Sequence, residues 1–348
     1  MSKQRVTIKD IANELKISVS TVSRALTDRW DVNPETRKAV LELAERWNYH
    51  PNPISLNLKR QQSMLIGVII PEFINSFFPE IIIGFESVLY PHKYQIVICQ
   101  SNESSEKELL NLKMLESNMV DGFLISITKE TKNIDYFNHL IDNGFPLVFF
   151  NRCPDVSASS VVIDDYKWAF LAVEHLIQQG YKRIVHLSGQ ENLDVSIQRQ
   201  KGYMDALKKH SLPLDESLII PCGILMEQGI ISAHKILEMK ELPDAIFAVN
   251  DPTAIGAMKT LQKHGIKIPE DIAVVGFTES QIALIVEPNL TTVEQPTFEI
   301  GKVAAELLLE QIKHNNEVKK NVKKIVLEAK LNIRESSCRQ KQQILNED

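Results

Sequence analysis

Seven short apolar runs constrain the fold of this chain more than any other feature. They are "LIGVII" (65–70), "YQIVIC" (94–99), "GFLISI" (122–127), "PLVFF" (146–150), "RIVHLS" (183–188), "AIFAV" (245–249) and "IAVVGF" (272–277). Each is of strand length and apolar on both faces, which suits a strand covered on both sides. Stretches long enough for a helix separate them, as in "SSEKELLNLKMLESN" and "DPTAIGAMKTLQKHG". This alternation predicts an α/β body made of two doubly wound parallel-sheet subdomains. The segment "LTTVEQP" (290–296) is expected to cross back between them. Ligands of such sheets bind beyond the carboxyl ends of the strands, so those ends are the places to search.

The first sixty residues have a different period. In "VTIKDIANELKISVSTVSRAL" (6–26), Thr7 precedes Ile8, Ile11, Ala12 and Leu15, and Ser18 precedes Val19, Val22, Ala25 and Leu26. Thr7 with Asp10 reads as a capping box with a shorter acid, the hydroxyl accepting the amide of residue 10. Ser18 caps a second helix after a turn at Leu15–Lys16–Ile17. "NPETRKAVLELAERW" begins a third with Asn33 as cap, Pro34 as first helical residue and an apolar face of Val40, Leu41, Leu43, Ala44 and Trp47. Three short helices with a tight turn between the first two describe an all-α helix-turn-helix headpiece. Charge agrees with a polyanion partner: residues 1–63 carry 11 Lys and Arg against 7 Asp and Glu, whereas the whole chain has a net charge of −6.

The quoted 6–26 string resembles the LacI/GalR family of bacterial transcription regulators. That resemblance implies that Val19, Ser20 and Arg24 face base edges, while Thr7, Ser18, Thr21, Ser23 and Asn33 cap helices or touch phosphates. Lys16 stands where the family usually has Gly or Asn, and a left-handed Lys there costs roughly 1 kcal/mol. "NYHPNPISLNLKRQQS" (48–63) is similar to the family's linker and hinge helix, whose leucine wedges into the minor groove. That register implies Leu58 as the wedge, with Leu56 beside it. The expected domains are a headpiece over 1–48, a linker and hinge over 49–63, and an effector and dimerisation body over 64–340. Its N-subdomain is expected at 64–161 plus 293–322, and its C-subdomain at 162–292 plus 323–340.

In the body the family implies a periplasmic-binding-protein-like cleft. Phe77 or Phe78 would be an aromatic platform or belong to the core, Arg199 a planar donor fork, and Asn151 and Asn250 amides that donate and accept. The family often has a carboxylate after "VVGF"; here Thr278 and then Glu279 follow, so Glu279 is expected to reach in or the effector to differ at that corner. Asp251 is expected to cap the helix starting at Pro252. The effector class expected is a sugar or sugar derivative, ahead of another small polar metabolite.

Catalysis has little support: "HLSGQ" lacks the glycines of a nucleophile elbow, and no Gly-rich phosphate loop or two-His metal spacing is present. Neither a cofactor nor a metal is expected. The start shows no basic segment followed by an apolar run, and no stretch reaches the ~18 apolar residues of a membrane span. The expected protein is thus a cytoplasmic homodimeric regulator, a repressor by preference, binding a near-palindromic DNA duplex under control of a small effector. The alternatives are a sugar-binding transport receptor, which would need a secretion signal and no headpiece, and a sugar kinase, which would need a phosphate loop.

Overall fold

Two compact units, Met1–Ser63 and Met64–Asp348, divide the computed structural model, which describes residues 6–27, 32–49, 62–74, 76–314 and 322–339. In the first unit, α1 (Ile8–Glu14), α2 (Val19–Leu26) and α3 (Pro34–Arg46) close around Ile11, Val22, Val40 and Leu43. Helix α1 ends because Lys16 takes φ +54°. The amide of Ile17 then donates to the Ala12 carbonyl at 3.0 Å and that of Lys16 to Asn13 at 3.2 Å. This pair of bonds satisfies carbonyls that a helix end would otherwise leave open, offsetting the left-handed strain. Ser18 Oγ accepts the Thr21 amide at 3.1 Å and starts α2.

One headpiece expectation changes, at Leu41; the capping box of Thr7 with Asp10 is present, with the Thr7 amide donating to Asp10 Oδ2 at 2.8 Å and the Thr7 hydroxyl to the same oxygen at 2.7 Å. A carboxylate is a strong acceptor, and these bonds hold Asp10 below its ordinary range. Leu41 is exposed, because α3 turns only Val40, Leu43 and Ala44 inward. Leu56 and Leu58 lie outside the described residues, as does the tail beyond residue 339.

The body begins with β1 (Leu65–Ile70), α4 (Phe77–Leu89), β2 (Gln95–Gln100), α5 (Ser105–Ser117), β3 (Gly122–Ile125), α6 (Asp135–Asp142), β4 (Leu147–Phe150) and β5 (Ser159–Ile163). It continues through α7 (Asp165–Gln178), β6 (Ile184–Ser188), α8 (Asp194–Lys209), β7 (Ile219–Pro221), α9 (Met226–Leu237), β8 (Ala245–Ala248), α10 (Asp251–Lys263) and β9 (Ala273–Thr278). The last elements are β10 (Thr291–Glu294), α11 (Thr297–Lys313), β11 (Lys324–Leu327) and β12 (Lys330–Asn332). One sheet has the order β11-β5-β4-β3-β1-β2 and is parallel throughout. The other has the order β12-β10-β9-β8-β6-β7, parallel except that β12 runs antiparallel to β10. All seven apolar runs became strands of these sheets.

The three crossings between sheets fall a few residues later than expected. β5 stays in the first sheet to Ile163, β10 stays in the second to Glu294, and β11 pairs with β5 before the chain crosses for the last time. Residues 323–327 thus belong to the first lobe. The half-polar run "KIVL" is an edge strand with a free side, so its pattern alone does not name the sheet it joins.

Helices close on one another through glycines. A Cβ on Gly84 of α4 would lie 2.3 Å from the Phe298 carbonyl, and one on Gly301 of α11 would lie 2.0 Å from that of Ile81. The two helix backbones are therefore in contact, which brings α11 down beside β3, β4 and β5.

Candidate functional site

A cleft opens at the carboxyl ends of both sheets. The first lobe contributes Glu72 after β1, Ser76, Phe77 and Phe78 at the start of α4, and Asn151 and Arg152 after β4. The second contributes Ser196 and Arg199 from α8, Ile224 after β7, Asn250 after β8, Thr278 and Ser280 at the end of β9, and Gln295 after β10. Phe77 and Phe78 meet edge to face at 5.1 Å and are both mostly buried, so each belongs to the core and to the cleft wall. Asn151 lines the cleft with φ +58°, and its amide N–H donates to the Val161 carbonyl at 3.0 Å, tying the end of β4 to β5.

Arg199 is the most constrained group in the wall. Its Nε lies 2.7 Å and its Nη2 2.6 Å from Asp165 Oδ1, and Nη1 donates to the Val249 carbonyl at 2.6 Å. The guanidinium carbon sits 3.7 Å from the centre of the Phe277 ring. A guanidinium has five N–H donors. One on each terminal nitrogen is left for the cleft, and the plane that carries them is fixed from three sides. Burial pushes the Asp165 carboxyl up, and the Arg199 guanidinium opposes that push.

The corner after β9 differs from expectation. Thr278 lines the cleft at φ +119°, an uncommon conformation for a β-branched residue. Asp251 holds this turn: its Oδ2 accepts the Ser280 amide and its Oδ1 the Thr292 hydroxyl, each at 2.6 Å. Burial raises the Asp251 carboxyl to about 6. The helix cap expected of Asp251 is provided by Asn250, whose Oδ1 accepts the Thr253 amide at 3.0 Å. The Nδ2 of Asn250 donates to the Ile224 carbonyl at 2.8 Å, so its amide is largely occupied by the fold. Glu279 does not line the cleft; Arg334 and Asn332 hold its carboxylate near the last crossing. An ion pair and an amide donor outcompete a solvent-facing position.

Reading the sequence missed Glu72, Arg152, Ser196, Ser280 and Gln295 as lining residues. Each lies in a segment that follows a strand, where the search was directed, but which side chain turns inward depends on local backbone. Gln295 is the clearest case. Its Nε2 donates to Thr278 Oγ1 at 3.2 Å, and its Oε1 is buried with no partner.

In the headpiece, Ser18, Val19, Ser20 and Arg24 are exposed and Thr21 and Ser23 are half-buried along α2, while Val22 and Ala25 face the core. Ser18 Oγ lies 2.7 Å from Ser20 Oγ and 2.8 Å from Thr21 Oγ1, which places three hydroxyls at the helix start. Such a helix N-terminus offers short polar groups and the positive end of its dipole to a phosphate backbone. Asn33 Oδ1 accepts the Glu35 amide at 2.8 Å and caps α3.

Residues 7–52 match the family described as bacterial regulatory proteins, lacI family, and residues 173–337 match the periplasmic binding protein-like domain. The transcriptional repressor PurR of Vibrio atlanticus is 34% identical over 317 residues, 90% of this chain and 94% of that one. Catabolite control protein A of Priestia megaterium is 35% identical over 87% of this chain and 91% of its own. Among solved structures, the CelR–cellobiose complex aligns with a TM-score of 0.71 at 27% identity over 95% of this chain and all of that one. The lac repressor dimer bound to operator and an anti-inducer aligns over 97% of this chain and all of that one, with a TM-score of 0.84 at 22% identity, a likeness of fold.

Proposed function

The chain belongs to the LacI family of bacterial regulatory proteins, and from that membership we propose that it is a transcriptional repressor whose grip on a DNA operator is set by a small carbohydrate held in the cleft. One observation carries the reading: a single chain joins a helix-turn-helix unit with exposed hydroxyls at the start of its second helix to a body whose two lobes enclose a cleft of apolar walls and a few polar groups. Relatives such as PurR are repressors by name, and solved neighbours hold cellobiose or ribose. Val19, Ser20 and Arg24 are the residues we place against base edges, with Ser18, Thr21 and Asn33 at phosphates. Leu58, with Leu56, is proposed as the minor-groove wedge. In the cleft, Arg199 and Asn151 supply donors and acceptors and the Phe77–Phe78 pair an apolar wall.

A homodimer in the bacterial cytoplasm completes the proposal, because a two-fold assembly matches a near-palindromic site. Exposed Ile83 on α4 and Tyr90 just after it, and Leu284 and Ile285 in the second lobe, are apolar groups that a second copy would cover. Effector binding would act by linkage, changing the relative stability of DNA-competent and incompetent arrangements.

Selection of bound duplexes from a random DNA pool tests this, run with the purified chain alone and with a panel of sugars. The expected result is enrichment of a near-palindrome whose binding one sugar alters. Absence of enrichment under every condition at low salt would overturn the proposal.

A further inference from the structure

Resting on the reading that the cleft holds the effector, we propose that this cleft selects an uncharged polyhydroxyl ligand and rejects its phosphorylated or carboxylated form. Two guanidinium groups line it, Arg152 and Arg199, which are 7% and 5% exposed. Either would ordinarily mark an anion site. Each is already matched. Arg152 Nη1 donates to Glu103 Oε1 at 2.8 Å, and Arg199 holds Asp165 as described. Glu72 lines the same cleft, and Asp251 lies directly behind its Thr278–Ser280 corner. The two lining guanidinium groups are thus matched by Glu103 and Asp165, and the carboxyl groups of Glu72 and Asp251 stand beside them. A phosphate entering here would lose hydration and find no uncompensated cation in return.

The polar atoms left over point to the same class. Gln295 Oε1 is buried in this wall without a partner. The amide oxygen can only accept, so it needs a donor from the ligand. An alcohol brings one; an ionised phosphate or carboxylate brings acceptors only. The two remaining N–H groups of Arg199 then suit ring or hydroxyl oxygens. Thr278 strengthens the distinction, since its neutral hydroxyl is engaged by Gln295 Nε2 and adds no charge. The second-lobe wall is therefore set for hydroxyls, and both cations of the lining are already matched.

Calorimetric titration of the full chain with a panel of pentoses, hexoses and disaccharides, each beside its phosphate or acid, decides the matter. D-Ribose with ribose 5-phosphate, D-glucose with glucose 6-phosphate and cellobiose with cellobionate are the core pairs. At least one neutral member is expected to bind about ten-fold or more tighter than its anionic partner. An anionic member that binds equally or better would overturn the charge selection and leave the small-effector reading standing. No binding by any member of the panel would overturn both. Glu103→Gln and, separately, Asp165→Asn each uncover a guanidinium and should shift the ratio toward the anion by about ten-fold. An unchanged ratio in both variants would equally sink the proposal.

Discussion

One carboxylate oxygen, Asp165 Oδ1, lies 2.7 Å from Nε and 2.6 Å from Nη2 of Arg199. Asp165 is the first residue of α7, directly after the chain first crosses between the sheets, and Arg199 is in the cleft wall. The ion pair therefore ties the crossing to the cleft. Asp165→Ala leaves a guanidinium uncompensated in a site that is nearly closed to water, and should cost about 3–5 kcal/mol in urea unfolding of the body. The double variant Asp165→Leu with Arg199→Met should regain most of that stability while losing the ligand response. If the double variant is no more stable than Asp165→Ala, the pair is not what the loss reports.

Arg24 lies on the exposed side of α2, one turn beyond the hydroxyl cluster. Arg24→Ala should relax preference at one base pair of the selected operator, costing ~1–3 kcal/mol there. A uniform loss on all sequences, with a shallower salt dependence, would make Arg24 a phosphate contact.

The backbone contact between Gly84 and Gly301 leaves no room for a methyl group. Gly301→Ala should force α4 and α11 apart and cost at least ~1–3 kcal/mol, the usual range for overpacking. Gly265, with φ +83° and no atom within 4 Å of a built Cβ, is a contrasting site. There Ala meets backbone strain but no clash, and the smaller loss of the two measures conformation alone.

Two buried groups set opposing pH dependences. Asp251 is raised to about 6 by burial, so its share of stability is fully present below its ordinary value of 3.8 and is lost as pH rises through 6. His186, stacked between Tyr203 and Phe247, is lowered to about 4 by burial. Its share is present above 6.5 and is lost as pH falls through 4. Each amounts to something on the order of 3 kcal/mol. They largely cancel between pH 4 and 6.5, so the wild-type melting temperature should vary little there on their account. His186→Phe should leave a stability that falls as pH rises across this window, and Asp251→Asn one that rises. Parallel profiles for both variants would exclude the cancellation.

Much of this architecture was legible in the residues because the signals were periodic or capped. Six of the seven apolar runs became strands covered on both faces, the stable place for a two-sided apolar segment of that length, whereas β2 lies at a sheet edge and is partly exposed. The headpiece was readable from Ser18, Asn33 and Pro34, whose side chains act within three residues of themselves. Short or half-polar strands such as β5, β7 and β11 were not, because an edge strand gains its identity from the neighbour it finds.

What the sequence determined by itself was therefore local: which segments are helix or strand, that a DNA-type headpiece precedes an α/β body, and which strand ends border a site. Tertiary structure alone decided how individual side chains at those ends are used. Glu279 turned to Arg334 instead of the cleft, Asn250 rather than Asp251 became the cap, and Gln295 came to face Thr278 across β9 and β10. Competition of this kind is settled by partners far away in the chain, since a buried polar group goes wherever its hydrogen bonds and charges are best satisfied.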